Sequence, residues 1–313
     1  MRITNLMMTN NAIQNMADNL EKVSNLQSKI ASNKQFQVPS DDPLRASTSL
    51  NLRSQLQTLE SYSDTAALSE NWMTASDNAF DQLEQIAIRA NDLILSGLND
   101  TLSGSERAQT LGAEMQELIA ETVEIGNTSV NGQYIFSGYQ VNQKAFSLTN
   151  GASIFDYAGN PYTPKVANYL GDTGVMQRSL GPDQSVALNV RGDQAILGFL
   201  QNLIVASNAL IQNNVHNTSD PLTLEASLGN LKTSIDTLDQ YRTSNGARLR
   251  QVTSASNFLE SVKLETESLL SENEDINLAE SIALLANQQN TYEAVLEVSQ
   301  RAISALSLFD YLR

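Results

Sequence analysis

The sequence predicts a mainly α-helical protein with a β-rich insert and long helices at both ends of the chain. Three observations carry this. Glycine is missing from residues 1–96 and 247–313, whereas ten of the fifteen glycines fall between Gly126 and Gly198. Both glycine-free ends repeat apolar residues at alternating three- and four-residue steps, which lines them up on one stripe of a helix. The glycine-rich middle also holds Pro161, Pro164 and Pro182 and a cluster of aromatics from Tyr134 to Tyr169. Turn formers mixed with aromatics read as short strands and tight loops.

In chain order, the first helix carries Leu6, Ile13, Met16, Leu20, Val23 and Ile30, with Thr9 and Gln27 as polar interruptions. It stops at Val38-Pro39-Ser40-Asp41-Asp42-Pro43. Proline disfavours a helical residue before it, and Asp42 can cap the next helix with Pro43 at its first position. That helix is expected from about Leu44 to about Ser96, marked by Leu52, Leu56 and Leu59 and then by Met73, Phe80, Leu83, Ala87, Ala90 and Ile94. After a turn at Gly97–Gly104, Ser103-Gly104-Ser105-Glu106 has the form of a capping box. The following helix carries Leu111, Met115, Leu118 and Ile125.

The β-rich segment is expected at 129–194. Helices resume at about 195–213 and again from about Leu222 to Leu270, where Leu224, Leu228, Leu231, Ile235 and Leu238 share one register. Glu265, Glu267, Glu272, Glu274, Asp275 and Glu280 then run without a basic residue, which reads as a solvated helix end and hinge. The final helix presents Leu278, Ile282, Leu285, Tyr292, Leu296, Ile303 and Leu306, interrupted by Gln289 and Ser299. A second stripe of Val295, Val298, Ala302, Ala305 and Phe309 runs beside it. The domain division that follows is 1–40 and 273–313 as terminal coiled-coil segments, 41–128 plus 195–272 as a long-helix domain, and 129–194 as the β-rich domain.

Composition excludes several functions. Lys and Arg total 19 against 35 Asp and Glu, a formal charge of −16. So acidic a chain repels phosphate backbones and anionic lipid heads, so neither nucleic acid nor a membrane is an expected partner. With no cysteine, disulfides, thiolate metal sites and cysteine nucleophiles are all closed off. His216 is the one histidine, in a polar loop, which leaves little for general-base or zinc chemistry. The first residues lack the continuous apolar core of a conventional secretion signal.

No catalytic, cofactor or metal site is expected. Asp41 and Asp42 are explained by helix capping and the helix dipole. Trp72 reads as core or interface packing, and Arg191-Gly192-Asp193 as a turn at the exit of the insert. The physical signal is at the ends. Two adjacent apolar stripes make a face too wide for one partner helix. One pairing buries too little to order so long a segment comfortably, whereas burial on several sides favours it. The ends therefore either order on joining an assembly or pack as an ordinary bundle within the chain.

Several segments resemble the flagellin family. Pro39-Ser40-Asp41-Asp42-Pro43, followed by Leu52-Arg53-Ser54-Gln55-Leu56, is similar to the family's turn and the helix after it. Asn131-Gly132-Gln133-Tyr134-Ile135-Phe136-Ser137-Gly138-Tyr139 resembles its junction-protein branch. The closing run from Leu278 through Tyr292 to Leu312, and Gly246-Ala247-Arg248-Leu249, are similar to its late helices. Ser32-Asn33-Lys34 departs from the pattern, because the family usually has glycine in the second position.

The resemblance implies a flagellin-like fold, a long antiparallel helical rod formed by both chain ends with an outward β domain. It implies a structural, non-enzymatic subunit without cofactor, exported through the flagellar type III channel to the extracellular flagellum. A flagellar export chaperone would hold the C-terminal helix beforehand. Such a subunit would form the junction between the first hook-associated protein and flagellin, in a ring with copies of itself. The apolar seams Leu6 to Ile30 and Leu278 to Phe309 would be the assembly interface, with Pro39, Asp41, Asp42 and Pro43 as hinge and cap. The alternatives are a filament-forming flagellin, or a secreted helical effector or adhesin.

Overall fold

The fold comes from a computed structural model that describes residues 5–216 and 222–311. The chain divides into two compact units, one of residues 1–58 and 261–313, the other of residues 59–260. Helix α1 (Asn5–Ser32) is followed by α2 (Pro43–Gly97), α3 (Gly104–Glu106), a π-helical turn (Arg107–Gly112) and α4 (Ala113–Gly126). Eight short strands come next, and then α5 (Gly192–Ala195), α6 (Leu197–Gln212), α7 (Leu224–Glu274) and α8 (Leu278–Tyr311).

In the terminal unit, α1 packs on α8. The pairing is antiparallel: Gln288 meets Asn19, while Asp275, just before α8, bridges Lys34, just after α1. The first part of α2 runs antiparallel to the end of α7, with Arg53 beside Glu274. Leu52, Leu56 and Leu59 of α2 are half-buried, as a helical stripe requires.

The central unit is organised by the later part of α2. Met73, Phe80, Leu83, Ala87, Ala90 and Ile94 are each at most 1% exposed, so the periodic stripe is the core-facing face of this helix. Against it pack Met115 and Ile119 of α4, Phe199, Leu200 and Leu203 of α6, and Leu231, Leu238 and Val252 of α7. Between α2 and α7, the Asn245 amide donates to the Met73 carbonyl at 2.9 Å, and the Arg242 guanidinium gathers Asp77, Asp81 and Glu84. The capping box forms as the sequence predicts: Ser103 Oγ accepts from the Glu106 N–H, and the Glu106 carboxylate accepts from the Ser103 N–H.

The strands make four separate antiparallel pairs rather than one sheet. These are β1 (Ser129–Val130) with β2 (Gln133–Tyr134), β3 (Phe146–Asn150) with β6 (Lys165–Tyr169), β4 (Ile154–Phe155) with β5 (Pro161–Tyr162), and β7 (Gln177–Ser179) with β8 (Ser185–Ala187). They are tied to the helical core by aromatics. Phe136 packs edge-on against Phe80 with centroids 5.7 Å apart, and Phe146, opposite Tyr169 in the β3–β6 register, is 1% exposed. Gly138 has a φ of +72°, and an added Cβ would lie 2.1 Å from Asp172 Oδ1, so glycine is required there. That same carboxylate oxygen accepts from the Tyr139 and Gly174 N–H groups, which closes the loop.

Candidate assembly interface and hinge

The segment expected to act as a hinge contains the loops that follow α1 and α7, which meet each other. Asn33 turns the chain out of α1 with a φ of +54°. Asparagine tolerates this left-handed conformation better than other residues with a Cβ, so it serves where glycine would otherwise stand. The turn lets Gln35 N–H donate to the Glu274 carbonyl at 2.7 Å and brings Lys34 into an antiparallel bridge with Asp275.

Charge locks this arrangement. Arg53 grips the Glu274 carboxylate with two parallel hydrogen bonds, Nε to Oε1 at 2.9 Å and Nη2 to Oε2 at 2.8 Å. Lys34 Nζ lies 3.0 Å from Glu274 Oε2 and 2.7 Å from Asp275 Oδ1. The Asn273 amide donates to the Arg45 carbonyl and to Ser49 Oγ, while Arg45 Nη1 donates back to the Asn273 carbonyl. The acidic run is therefore not uniformly solvated. Glu274 is 4% exposed, because basic residues more than 200 positions away in the chain supply its counter-charge.

The Arg53 bonds, reinforced by Lys34 and Ser49 and opposed by burial, hold the Glu274 carboxyl at about 2. Lys34 and Ser271 likewise hold Asp275 below the usual carboxylate range. A depressed folded-state pKa contributes stability that is present above the unfolded value, 4.5 for Glu274, and lost as pH falls through about 2. Glu274→Gln should cost about 2–3 kcal/mol at neutral pH. The gap between variant and parent should close as pH falls from about 4.5 toward about 2. Thermal melts at pH 7 and pH 2.5 measure it; a gap of the same size at both would contradict the assignment.

The residues expected as hinge and cap make two sets of contacts. Asp41 Oδ2 accepts from the N–H groups of Gln37 and Val38, which fixes the turn that contains Pro39. Asp42 Oδ1 accepts from the Arg45 N–H at 3.0 Å, and Pro43 is the first residue of α2. These are the contacts of a helix cap at its third position.

Of the expected seam residues on α1, Val23 is buried and Met16 and Ile30 are half-buried, whereas Ile13 and Leu20 are 55% and 52% exposed. On α8, Leu285, Tyr292 and Leu296 are half-buried, and Leu278 and Ile282 are 45% and 54% exposed. The side chains of Leu6, Ile303, Leu306 and Phe309 lie outside the described residues.

The contact line between the two helices is more polar than the sequence reading has it. Gln288 Nε2 donates to Asn19 Oδ1 at 2.8 Å, and Ser281 and Ser299 are buried. Of the polar interruptions read from the sequence, Gln27 and Gln289 are exposed and Ser299 is buried. Spacing could have found the true pair. Asn19 lies three residues after Met16 and four before Val23, and Gln288 stands in the same relation to Leu285 and Tyr292.

The apolar side chains left outside this line, Ile13 and Leu20 on α1 with Ile282 and Val298 on α8, are each more than half exposed. Between the helices runs a groove of about 530 Å³ whose walls mix Ala12, Ala294, Val295 and Val298 with polar residues such as Asn15 and Ser299. A part-buried polar pair inside a helix seam fixes register at some cost in stability.

The residues set aside as chemistry are placed as follows. His216 is not an isolated loop residue: its Nε2 is 3.3 Å from Asp100 Oδ1 and its Nδ1 3.4 Å from Glu225 Oε2. Arg191 pairs with Asp193 two residues on, at the start of α5 rather than in the turn that the sequence reading expects. Trp72 is 5% exposed on α2. Among the described residues, no helix is long and apolar enough to cross a membrane.

Residues 3–141 match the family model of the bacterial flagellin N-terminal helical region. Flagellar hook-associated protein 3 of Escherichia coli K12 is 25% identical over 56% of this chain and 50% of its own length. Its counterpart in Salmonella typhimurium LT2 is 28% identical over 48% of each chain. The chain thus spans about half the length of the relatives it matches in sequence. Among solved structures, a candidate flagellar hook-associated protein from Vibrio parahaemolyticus shares the fold, with a TM-score of 0.63 at 16% identity, covering 75% of this chain and all of that one.

Proposed function

We infer that this chain, whose residues 3–141 match the bacterial flagellin N-terminal helical region, is a structural subunit of the flagellum that joins hook to filament. The reading rests on one observation beyond the family. The antiparallel pair of α1 and α8 is held together along a partly polar line and leaves Ile13, Leu20, Ile282 and Val298 facing outward. Isolated exposed apolar residues are ordinary, but four on one helix pair, beside a long groove, form a surface that neighbouring helices can cover.

On this reading the subunit is not an enzyme. Copies associate in a ring through α1 and α8, with the first hook-associated protein on one side and flagellin on the other. The Glu274 cluster sets how the chain enters and leaves that helix pair, and Asp41, Asp42 and Pro43 fix the start of α2. Before export through the type III channel, a flagellar chaperone covers the apolar surface of the C-terminal helix. The mature subunit resides in the extracellular flagellum.

Deleting the gene tests this. Cells should carry hooks without filaments and release flagellin into the medium, with filaments restored by the intact gene. Filaments of normal length on the deletion strain would contradict the junction role.

A further inference from the structure

In the central unit, a cavity of about 300 Å³ lies between α2, the β1–β2 pair and the β7–β8 pair. Leu68 and Trp72 line it from α2, Val130 and Gln133 from the first hairpin, and Arg178 and Leu188 from the second. Two features set it apart. Trp72 is 5% exposed, and its indole N–H has no hydrogen-bond acceptor among the described residues. Arg178, the one charged side chain on the cavity wall, takes part in none of the ion pairs among the described residues, as is also true of Lys22, Lys29 and Arg250.

No carboxylate lines the cavity. Its one charged group and its one buried, unpaired polar group are both donors. A buried N–H without an acceptor is unfavourable and uncommon in folded proteins. The remaining walls mix apolar side chains at Leu68, Val130 and Leu188 with neutral polar ones at Thr65, Ser69, Asn131 and Gln133. An occupant that brings acceptor oxygens and negative charge on a short apolar body meets both donors and the apolar part of the wall.

We propose that this cavity binds a carboxylate carried on a short aliphatic arm. The arm lies against Leu68, Val130 and Leu188. The carboxylate takes two N–H groups of the Arg178 guanidinium, the geometry that arginine offers to planar anions. One carboxylate oxygen also accepts from the Trp72 indole. Gln133 and Arg178 are exposed and swing aside to admit it. A free organic acid and an aspartate or glutamate side chain of a second copy present the same chemistry, and two arms of one experiment separate them.

Trp72 is the chain's one tryptophan, so its emission reports on this cavity directly. In the first arm, glutarate is titrated into dilute protein at ionic strength held constant with chloride. In the second, no acid is added and the protein concentration is raised. A saturable change in Trp72 emission is expected in at least one arm. Arg178→Gln should weaken it about tenfold, the usual loss for a hydrogen bond to a charged group. Far-UV circular dichroism checks that the variant is folded. A response to glutarate assigns the site to a free acid, and a response to self-concentration alone assigns it to a second copy. No response in either arm, or an equal response in Arg178→Gln, overturns the proposal.

Discussion

Leu20→Asp and Ile282→Asp leave the isolated chain folded and abolish its incorporation into flagella. Both side chains are more than half exposed, so in the lone subunit each change should stay within about ±0.5 kcal/mol. Under a neighbouring subunit the balance reverses. Each loses the roughly 1.5–3 kcal/mol that burial of a large aliphatic side chain provides, and the carboxylate adds a desolvation cost of several kcal/mol. Thermal denaturation of the purified variants and immunodetection on sheared flagella make the two measurements. A variant that melts normally and still enters the flagellum would show that this face is not an interface.

Arg107→Met should destabilise the central unit by about 3–5 kcal/mol, well beyond a typical substitution. The arginine is 6% exposed in the π-helical turn, and no carboxylate neutralises it among the described residues. Three neutral oxygens share its charge: Nε donates to the Gly97 carbonyl at 2.7 Å, Nη2 to the Asn99 carbonyl at 2.7 Å and Nη1 to Asn213 Oδ1 at 2.8 Å. One side chain thereby ties the end of α2, the loop after it and the end of α6. Methionine keeps the unbranched apolar stem but leaves the Gly97 carbonyl and Asn213 Oδ1 without the guanidinium, while the Asn99 carbonyl keeps the Leu102 N–H. Urea unfolding reads the loss as a lower midpoint; a shift below about 1 kcal/mol would mean that water replaces the guanidinium at little cost.

How far the fold was legible depends on the range of the interaction. The stripe Met73 to Ile94 is a helix-period pattern, and every member lies in the core, because a local repeat fixes which side of a helix is apolar. The cap at Asp42 and the capping box at Ser103 are equally local, and both form. The strand partners were not legible. Pairing β3 with β6 across the intervening β4 and β5 depends on contacts between residues such as Phe146 and Tyr169, which no local pattern encodes.

Charge showed the same limit. Nothing within reach of Glu274 in sequence reveals that Lys34 and Arg53 will surround it, so a solvated acidic run was the natural reading. Along α1 and α8 the expectation favoured apolar residues and so passed over Asn19 and Gln288, whose hydrogen bond lies in the contact line. Ile13, Leu20, Leu278 and Ile282 were legible as apolar but not as exposed. Periodicity finds a stripe; which of two adjacent stripes turns toward the partner helix is decided by the whole packing arrangement.

The chain has no cysteine, so one introduced thiol gives an unambiguous signal. Leu20→Cys, treated with a maleimide reagent, should label rapidly in the isolated subunit and resist labelling in intact flagella. Equal labelling in both states would leave the outward face of α1 bare in the assembled structure, and the account of the terminal helices as an assembly surface would fail.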